Sequence, residues 1–142
     1  MLLKLLPEQI SRYWDVIKLT IQDTAPEISS YGLTVVLENL LCDQMQCWVE
    51  TKSGVEDPEA EAIVVTTVFR DSFYQQNCLR ICSLYGFSDL SPEQWMRGAD
   101  TIISYARERG CFLLEAITDR EGLLKYAERF GCKTRHYISL EV

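Results

Sequence analysis

The sequence predicts an α/β protein with a mixed, mostly antiparallel twisted sheet and helices on both faces. Segments with apolar residues every three or four positions alternate with β-branched or alternating runs, in the order β-α-α-β-β-β-α-β-α-β. A long helix with clear end signals separates two apolar strands, which is the pattern of a parallel crossover. The 142 residues and 47% hydrophobic content fit one domain, residues 1–142, with its own core.

The first third of the chain predicts one strand and two helices. Met1 to Leu6 is apolar but too short for a membrane span, and Pro7 follows at once, so we expect a strand rather than a signal peptide. Glu8 to about Thr24 has helical apolar spacing and ends near Pro26. A second helix begins at Ser29 or Ser30. Its apolar stripe consists of Leu33, Val36, Leu37, Leu40 and Leu41.

Three strands and one loop are predicted for the middle of the chain. Met45 to Thr51 alternates between two faces. Lys52 to Glu61 is the most polar stretch and predicts an exposed loop. Ala62 to Arg70 is β-branched throughout, which is typical of a central strand buried on both faces. The next strand runs from Asn77 to about Tyr85.

The last third predicts two helices and two strands. Ser91 to Arg109 is a helix with a capping box at its start and Gly110 after its end. Cys111 to Ile117 is a short apolar strand, and Glu121 to Phe130 is a helix that a glycine terminates. Thr134 to Val142 alternates in polarity and predicts a final strand.

The charge distribution argues against general nucleic-acid binding. The net charge is −7, and residues 1–96 hold 6 Lys/Arg against 14 Asp/Glu, whereas residues 97–142 hold 8 against 7. An acidic surface repels phosphate backbones. No run is long enough to span a membrane, so we expect neither a nucleic-acid nor a membrane partner.

The cysteines predict free thiols and no metal. There are six, no two are spaced as Cys-x-x-Cys, and His136 is the single histidine. A zinc site needs four closely placed ligands. We therefore expect small apolar residues in a reducing, cytoplasmic setting.

The element order along nearly the whole chain resembles the GNAT fold, the Gcn5-related N-acetyltransferase architecture. The phrase Tyr126 to Cys132, a helix end with a tyrosine and then a glycine, resembles the usual ending of that family. The resemblance implies that the strands near 78–85 and 111–117 run parallel and diverge. It also implies that backbone amides of the fourth strand hold the pantetheine arm of acetyl-CoA.

The phosphate-binding loop of that family has no match here. The family pattern is Gln/Arg-x-x-Gly-x-Gly/Ala, whereas Tyr85 to Glu93 contains one glycine and no basic residue. Pro92 lacks an amide donor, and Asp89 and Glu93 place negative charge where pyrophosphate would bind. The cofactor-binding candidates in this segment are Leu84, Tyr85, Gly86, Phe87, Ser88 and Ser91.

The acid and base of the family are also unmatched. Family members often have a tyrosine four residues before the glycine, but that position is Ala127 here, and Tyr126 points about 100° around the helix. Tyr126 is therefore the one weak catalytic candidate. The predicted strand Ala62 to Phe69 has no carboxylate to serve as base.

Three functions are consistent with these observations. The first is a non-catalytic interaction or assembly protein without a cofactor. The phrase Asp119 to Leu124 resembles virion-associated accessory proteins of tailed phages, which extends this hypothesis to a virion location. The second is an acyl-CoA-dependent N-acetyltransferase with an atypical loop. We expect the protein to bind acetyl-CoA more weakly than about 1 mM, and micromolar affinity would favour this second function. The third is a binder of another small ligand between the fourth and fifth strands.

Trp48 is the predicted anchor for a protein partner or for self-association. It is out of phase with Met45, Cys47 and Val49 on its strand. If those three face the core, Trp48 faces outward, where an aromatic side chain marks an interface.

Overall fold

A computed structural model describes residues 1–52, 59–118 and 120–142. In chain order the elements are β1 Leu2–Lys4, α1 Pro7–Thr24, α2 Ser30–Leu41, β2 Met45–Thr51, β3 Ala60–Asp71, β4 Gln76–Gly86, α3 Pro92–Glu108, β5 Cys111–Ala116 and α4 Glu121–Arg129. The predicted α/β architecture and element order are confirmed from β1 to α4. Most of the predicted loop between Lys52 and Glu61 lies outside the described residues.

The strands form one sheet in the order β1-β2-β3-β4-β5. The first four strands are antiparallel neighbours. β4 and β5 are parallel, with Asn77 opposite Cys111 and Ile81 opposite Ala116. The predicted parallel pair is confirmed, and α3 is the crossover that joins it.

The helices cover the two faces of the sheet with separate clusters of apolar side chains. On one face, Ile10 and Ile17 of α1 and Leu40 of α2 pack with Cys47 and Val65 of the sheet. On the other, Ile102 and Ala106 of α3 form a cluster with Leu2, Trp48, Val64 and Leu79. This arrangement confirms the prediction of helices on both faces.

The prediction that Trp48 faces outward is wrong. Its side chain is only 3% exposed and lies beneath α3, where its ring meets Tyr105 edge-on at 5.0 Å between centroids. Trp48 Nε1 donates a hydrogen bond to Thr66 Oγ1 at 2.9 Å, and that hydroxyl donates to Gln46 Oε1 at 2.9 Å. Since α3 covers this face, both faces of β2 are core. Trp48 is therefore a core residue and does not offer an exposed aromatic ring for an interface.

The predicted last strand is not formed in the single chain. Residues 132–142 carry no strand assignment and are exposed throughout. A strand needs a neighbour for its ladder, and no described strand pairs with this segment. The alternation of the sequence was therefore not sufficient to place it in the sheet.

No helix in the described part of the chain is long and apolar enough to cross a membrane. All six cysteines are free thiols in the structure. Within the described residues, no three His, Cys, Asp or Glu side chains gather as they would around a metal ion.

Cys47 should make the stability of the protein fall at alkaline pH. Its thiol is fully buried, and burial raises its pKa from 9.0 to about 12. Because the folded state holds this proton more tightly than the unfolded chain, stability is full below pH 9 and is lost as pH rises towards 12. The expected loss from this group is about 1.4 kcal/mol per pH unit.

The test compares urea denaturation of wild type and Cys47→Ala from pH 8 to pH 11. Other groups that titrate at alkaline pH are present in both proteins. The difference between their unfolding free energies therefore reports the titration of Cys47 alone. The free-energy gap between them should close as pH rises. A gap that stays constant would show that the Cys47 thiol titrates normally.

Candidate functional site

The wedge is the space beside β4 beyond the end of β5, where β4 extends past its parallel neighbour. Their pairing ends at Ile81 and Ala116, although β4 continues to Gly86. Beyond Ile81, β4 keeps its ladder with β3 but has no strand partner on its β5 side within the described residues. The backbone groups of alternate residues from Cys82 to Gly86 that point to this side are open to a ligand.

A β-bulge at Cys82 marks the start of the wedge. In the β3–β4 ladder Ile81 pairs with Thr66 and Ser83 with Val65, which leaves Cys82 as an extra residue. A bulge bends its strand and increases its local twist. The bulge therefore bends β4 at the point where its pairing with β5 ends.

A hydrogen bond to α1 holds β4 in place just after the bulge. Ser83 is buried, and its Oγ lies 2.6 Å from Thr24 Oγ1 at the end of α1. This contact ties the part of β4 beyond the bulge to the helix layer. The wedge is thus a supported feature of the sheet rather than a frayed strand end.

The loop that follows β4 uses its backbone donors internally. The N–H groups of Phe87 and Ser88 both donate to the Glu61 carbonyl, at 2.8 and 3.4 Å. Ser91 is the predicted N-cap of α3: its N–H donates to Gln94 Oε1 at 2.8 Å, and its Oγ accepts from the Gln94 N–H at 3.2 Å. These donors are not available to a phosphate.

The remaining donors are few and lie beside negative charge. Pro92 has no N–H. Among the described contacts, the N–H groups of Asp89, Leu90 and Glu93 are not engaged, and two of these residues carry carboxylates. The structure therefore gives the loop little capacity for pyrophosphate.

Glu61 is a site residue that the sequence placed wrongly. The polar sequence from Lys52 to Glu61 predicts an exposed loop, but Glu61 belongs to β3 and is 8% exposed. Its carboxylate accepts from Gln94 Nε2, and its carbonyl holds Phe87 and Ser88. Glu61 thus fastens both the loop and the start of α3 to the sheet.

The other loop candidates are divided between core and surface. The Leu84 side chain packs with the α3-side core cluster. Only the backbone of Leu84 can therefore contact a ligand in the wedge. Tyr85 is half-buried and meets the exposed Phe87 ring edge-on at 5.0 Å. Gly86 and Ser88 are exposed.

Tyr126 lies against the first turn of α3. Its ring stacks on Trp95 with centroids 5.1 Å apart and 19° between the planes. The Arg129 guanidinium lies 5.6 Å from the same ring. These contacts join α4 to the helix that borders the wedge, and they place Tyr126 near the loop without assigning a role to its hydroxyl.

Glu115 is the described carboxylate closest in register to the end of the β4–β5 pairing. It lies opposite Arg80, one position before the last β4–β5 pair. Arg80 Nε donates to Glu115 Oε1 at 2.6 Å, and both side chains remain partly exposed. The sequence alone does not predict this pair, because the two side chains meet only through the β4–β5 register.

Comparisons with solved structures show the GNAT fold over the whole chain. A probable acetyltransferase superposes with a TM-score of 0.73 at 11% identity, covering 100% of this chain and 97% of its own. An aminoglycoside acetyltransferase, AAC(6′)-Iy with a CoA-containing bisubstrate analogue, gives 0.71 at 11% identity, with 100% and 96% covered. A ribosomal-protein-alanine N-acetyltransferase from Brucella melitensis biovar Abortus 2308 gives 0.67 at 12%, with 100% and 98% covered.

No family model matches the sequence, and no curated protein matches it. The identities of 11–12% show the fold alone. The leading prediction of a non-catalytic assembly protein is nevertheless wrong on this comparison, because these neighbours are named acetyltransferases. The comparison favours the enzyme alternative.

Proposed function

We propose that the protein is an acyl-CoA-dependent N-acetyltransferase. The observation that carries the proposal is the wedge: the parallel pairing of β4 with β5 ends beside a bulge, and in the described part of the chain one side of β4 has no strand neighbour from Cys82 to Gly86. An extended pantetheine arm can add to such a backbone edge as a further strand does. AAC(6′)-Iy, on the same fold, was solved with a CoA-containing ligand, which supports acyl-CoA as the ligand here.

In the proposed reaction an amine attacks the thioester carbonyl. The new C–N bond forms and the C–S bond breaks, the amine loses a proton, and the departing CoA thiolate gains one. We assign the first proton to Glu115, because it is the described carboxylate nearest in register to the wedge and Arg80 fixes its orientation. Its partial exposure leaves the carboxylate reachable by an incoming amine.

The unusual loop changes how the cofactor is held. With most donors used internally, the pyrophosphate contributes little, and binding depends on the wedge. Weak binding that is equal in the ground and transition states raises KM without lowering kcat. An enzyme with a high KM for acetyl-CoA is therefore compatible with the expected affinity weaker than about 1 mM.

Replacing Glu115 should slow acetyl transfer. Wild type is assayed with labelled acetyl-CoA and a set of amines that includes an aminoglycoside, a polyamine and a peptide with a free N-terminus. For an acceptor that is used, Glu115→Gln should lower kcat by about 100-fold or more, as loss of a general base does. The substitution keeps the side-chain volume and one oxygen for Arg80.

Two further measurements make the result decisive. Glu108→Gln, which changes an exposed carboxylate at the end of α3, should leave kcat unchanged. Ligand-observed NMR with acetyl-CoA reports weak binding directly. Absence of both transfer and binding would contradict the proposed function, whereas transfer that Glu115→Gln leaves intact would reject only the assigned base.

A further inference from the structure

We propose that the protein binds a small carboxylate with an apolar tail in a cavity at the β1–β2 edge of the sheet, which we call the edge cavity. This cavity has a volume of about 240 Å³ and lies between the β1–α1 connection, the end of α2 and the start of β2. The wedge lies beside β4, two strands away from β2. The edge cavity is therefore separate from the site proposed for acetyl transfer, and its ligand does not depend on that function.

The walls of the edge cavity are mainly apolar. Ile10 of α1 and Leu40 of α2 are each only 2% exposed, so they form its deepest part. The other apolar side chains that line it are more exposed: Leu5, Leu6, Pro7 and Met45. Because an apolar cavity of about 150 Å³ can bind benzene, this one has room for a tail of about six carbons.

Two hydrogen-bond donors meet at Asp43, on the polar side of the edge cavity. Lys4 Nζ lies 2.7 Å from Asp43 Oδ1, and Gln46 Nε2 donates to the Asp43 carbonyl at 2.9 Å. All three residues line the cavity. Since one residue holds both donors, the donors lie near each other, and a carboxylate has an oxygen for each.

Both donors have hydrogens left for a ligand. An ammonium group has three N–H donors and a side-chain amide has two. Lys4 Nζ contacts Asp43 and the Tyr105 side chain, which leaves at least one. Among the described contacts Gln46 Nε2 makes a single hydrogen bond, although Gln46 is only 1% exposed. A buried donor without an acceptor is unfavourable, and a ligand oxygen would supply that acceptor.

The charge on this side of the edge cavity favours an anion. Arg109 Nη1 contacts the second carboxylate oxygen of Asp43 at 3.1 Å, so Lys4 and Arg109 share one carboxylate and leave one positive charge over. Asp100 and Glu108 border the groove on the α3 side of Lys4, but neither forms an ion pair with it among the described contacts. Because both Asp43 oxygens are engaged, a ligand ammonium group would find no free carboxylate partner at Asp43. This arrangement favours an anion over a zwitterion.

Two short connections that the protein holds in place bound the edge cavity. The Leu5 N–H donates to the Cys47 carbonyl at 2.8 Å, and the Leu6 N–H donates to Gln9 Oε1 at 2.8 Å. On the α2–β2 side, Asp43 has a φ of +63°, a left-handed conformation that aspartate tolerates better than most residues. Because these connections are fixed before binding, a ligand loses little affinity to ordering of the protein.

Titration of the wild-type protein with hexanoate tests the proposal. We expect a dissociation constant of about 1 mM or lower. In NMR spectra the methyl signals of Ile10 and Met45 should shift, whereas those of Leu19, exposed elsewhere on α1, should not. Acetate lacks the tail, hexanol lacks the charge and norleucine adds an ammonium group to the same six carbons. Each should bind at least about 10-fold more weakly than hexanoate.

Lys4→Met separates the contribution of the charge from that of the tail. The variant keeps an apolar side chain and should bind hexanoate about 10- to 100-fold more weakly, as loss of a hydrogen bond to a charged group does. Its affinity for hexanol should not change. The ion pair that it loses is partly exposed, so the variant should stay folded, which a melting curve checks.

Lys18→Met is the matched control, because it removes another half-buried lysine that does not line the edge cavity. It should bind hexanoate like wild type. The proposal would be overturned by a wild type that does not bind hexanoate, or by one that binds acetate or norleucine as tightly. Equal hexanoate binding by wild type and Lys4→Met, or methyl shifts confined to residues outside the edge cavity, would overturn it as well.

Discussion

Trp48→Ala is expected to lower the free energy of unfolding by about 3–5 kcal/mol, the range for loss of a buried aromatic side chain. The indole is buried under α3 and meets Tyr105 edge-on. Its removal leaves a cavity and also takes the donor from the Thr66 hydroxyl. Since small domains have a total stability of about 5–15 kcal/mol, the variant should be close to unfolding at ordinary temperature.

Chemical denaturation of three variants separates the contributions. Trp48→Phe keeps an aromatic ring but loses the indole N–H, so it should cost less than the alanine variant. Tyr31→Ala removes an aromatic ring that is exposed on α2 and should change stability by no more than about 0.5 kcal/mol. A Trp48→Ala variant as stable as wild type would contradict a stabilising role for the buried indole.

Trp48 also shows why alternation along a strand could mislead. Met45, Cys47 and Val49 predict one core face, and the intervening Gln46 and Glu50 suggest that the other face meets water. Because helices cover both faces of β2, Gln46 is buried as deeply as Cys47. Gln46 Nε2 donates to the Asp43 carbonyl, and Gln46 Oε1 accepts from the Thr66 hydroxyl. Thr66 is 20 residues away in the chain, and such a distant partner leaves no local signal.

Features set by local chemistry were predictable. The capping box at Ser91 and the glycine end of α4 depend on residues within one helical turn, and the structure contains both. The parallel β4–β5 pair followed from the length of the intervening helix and the right-handed crossover rule. These elements define most of the fold.

The wedge depended on contacts that the sequence does not record. The bulge at Cys82 is a register shift between β3 and β4, and the residue types around it do not predict it. The capture of Phe87 and Ser88 by the Glu61 carbonyl joins segments that are far apart in the chain. The sequence showed that the loop lacks glycines and contains acidic residues. It did not show that the backbone N–H groups of the loop bond to other parts of the protein.

The two acidic residues of the loop should weaken acetyl-CoA binding. Asp89 and Glu93 carry two of the three N–H groups in this segment that have no partner among the described contacts. Any anion that reaches those groups also meets the two carboxylates. At about 4 Å each unit charge opposes it by about 1 kcal/mol in water. Asp89→Asn/Glu93→Gln should therefore tighten acetyl-CoA binding by roughly 10- to 30-fold at low salt.

The control ligand is S-acetylpantetheine, which has the arm and thioester but no nucleotide or pyrophosphate. Its affinity for the double variant should equal its affinity for wild type, because the wedge is unchanged. Salt should also reduce the gain for acetyl-CoA, since exposed charges are screened. Titrations of both ligands at two ionic strengths give the answer. Equal tightening of the two ligands would show that the substitutions act on the wedge, and no tightening of either would place the pyrophosphate away from this loop.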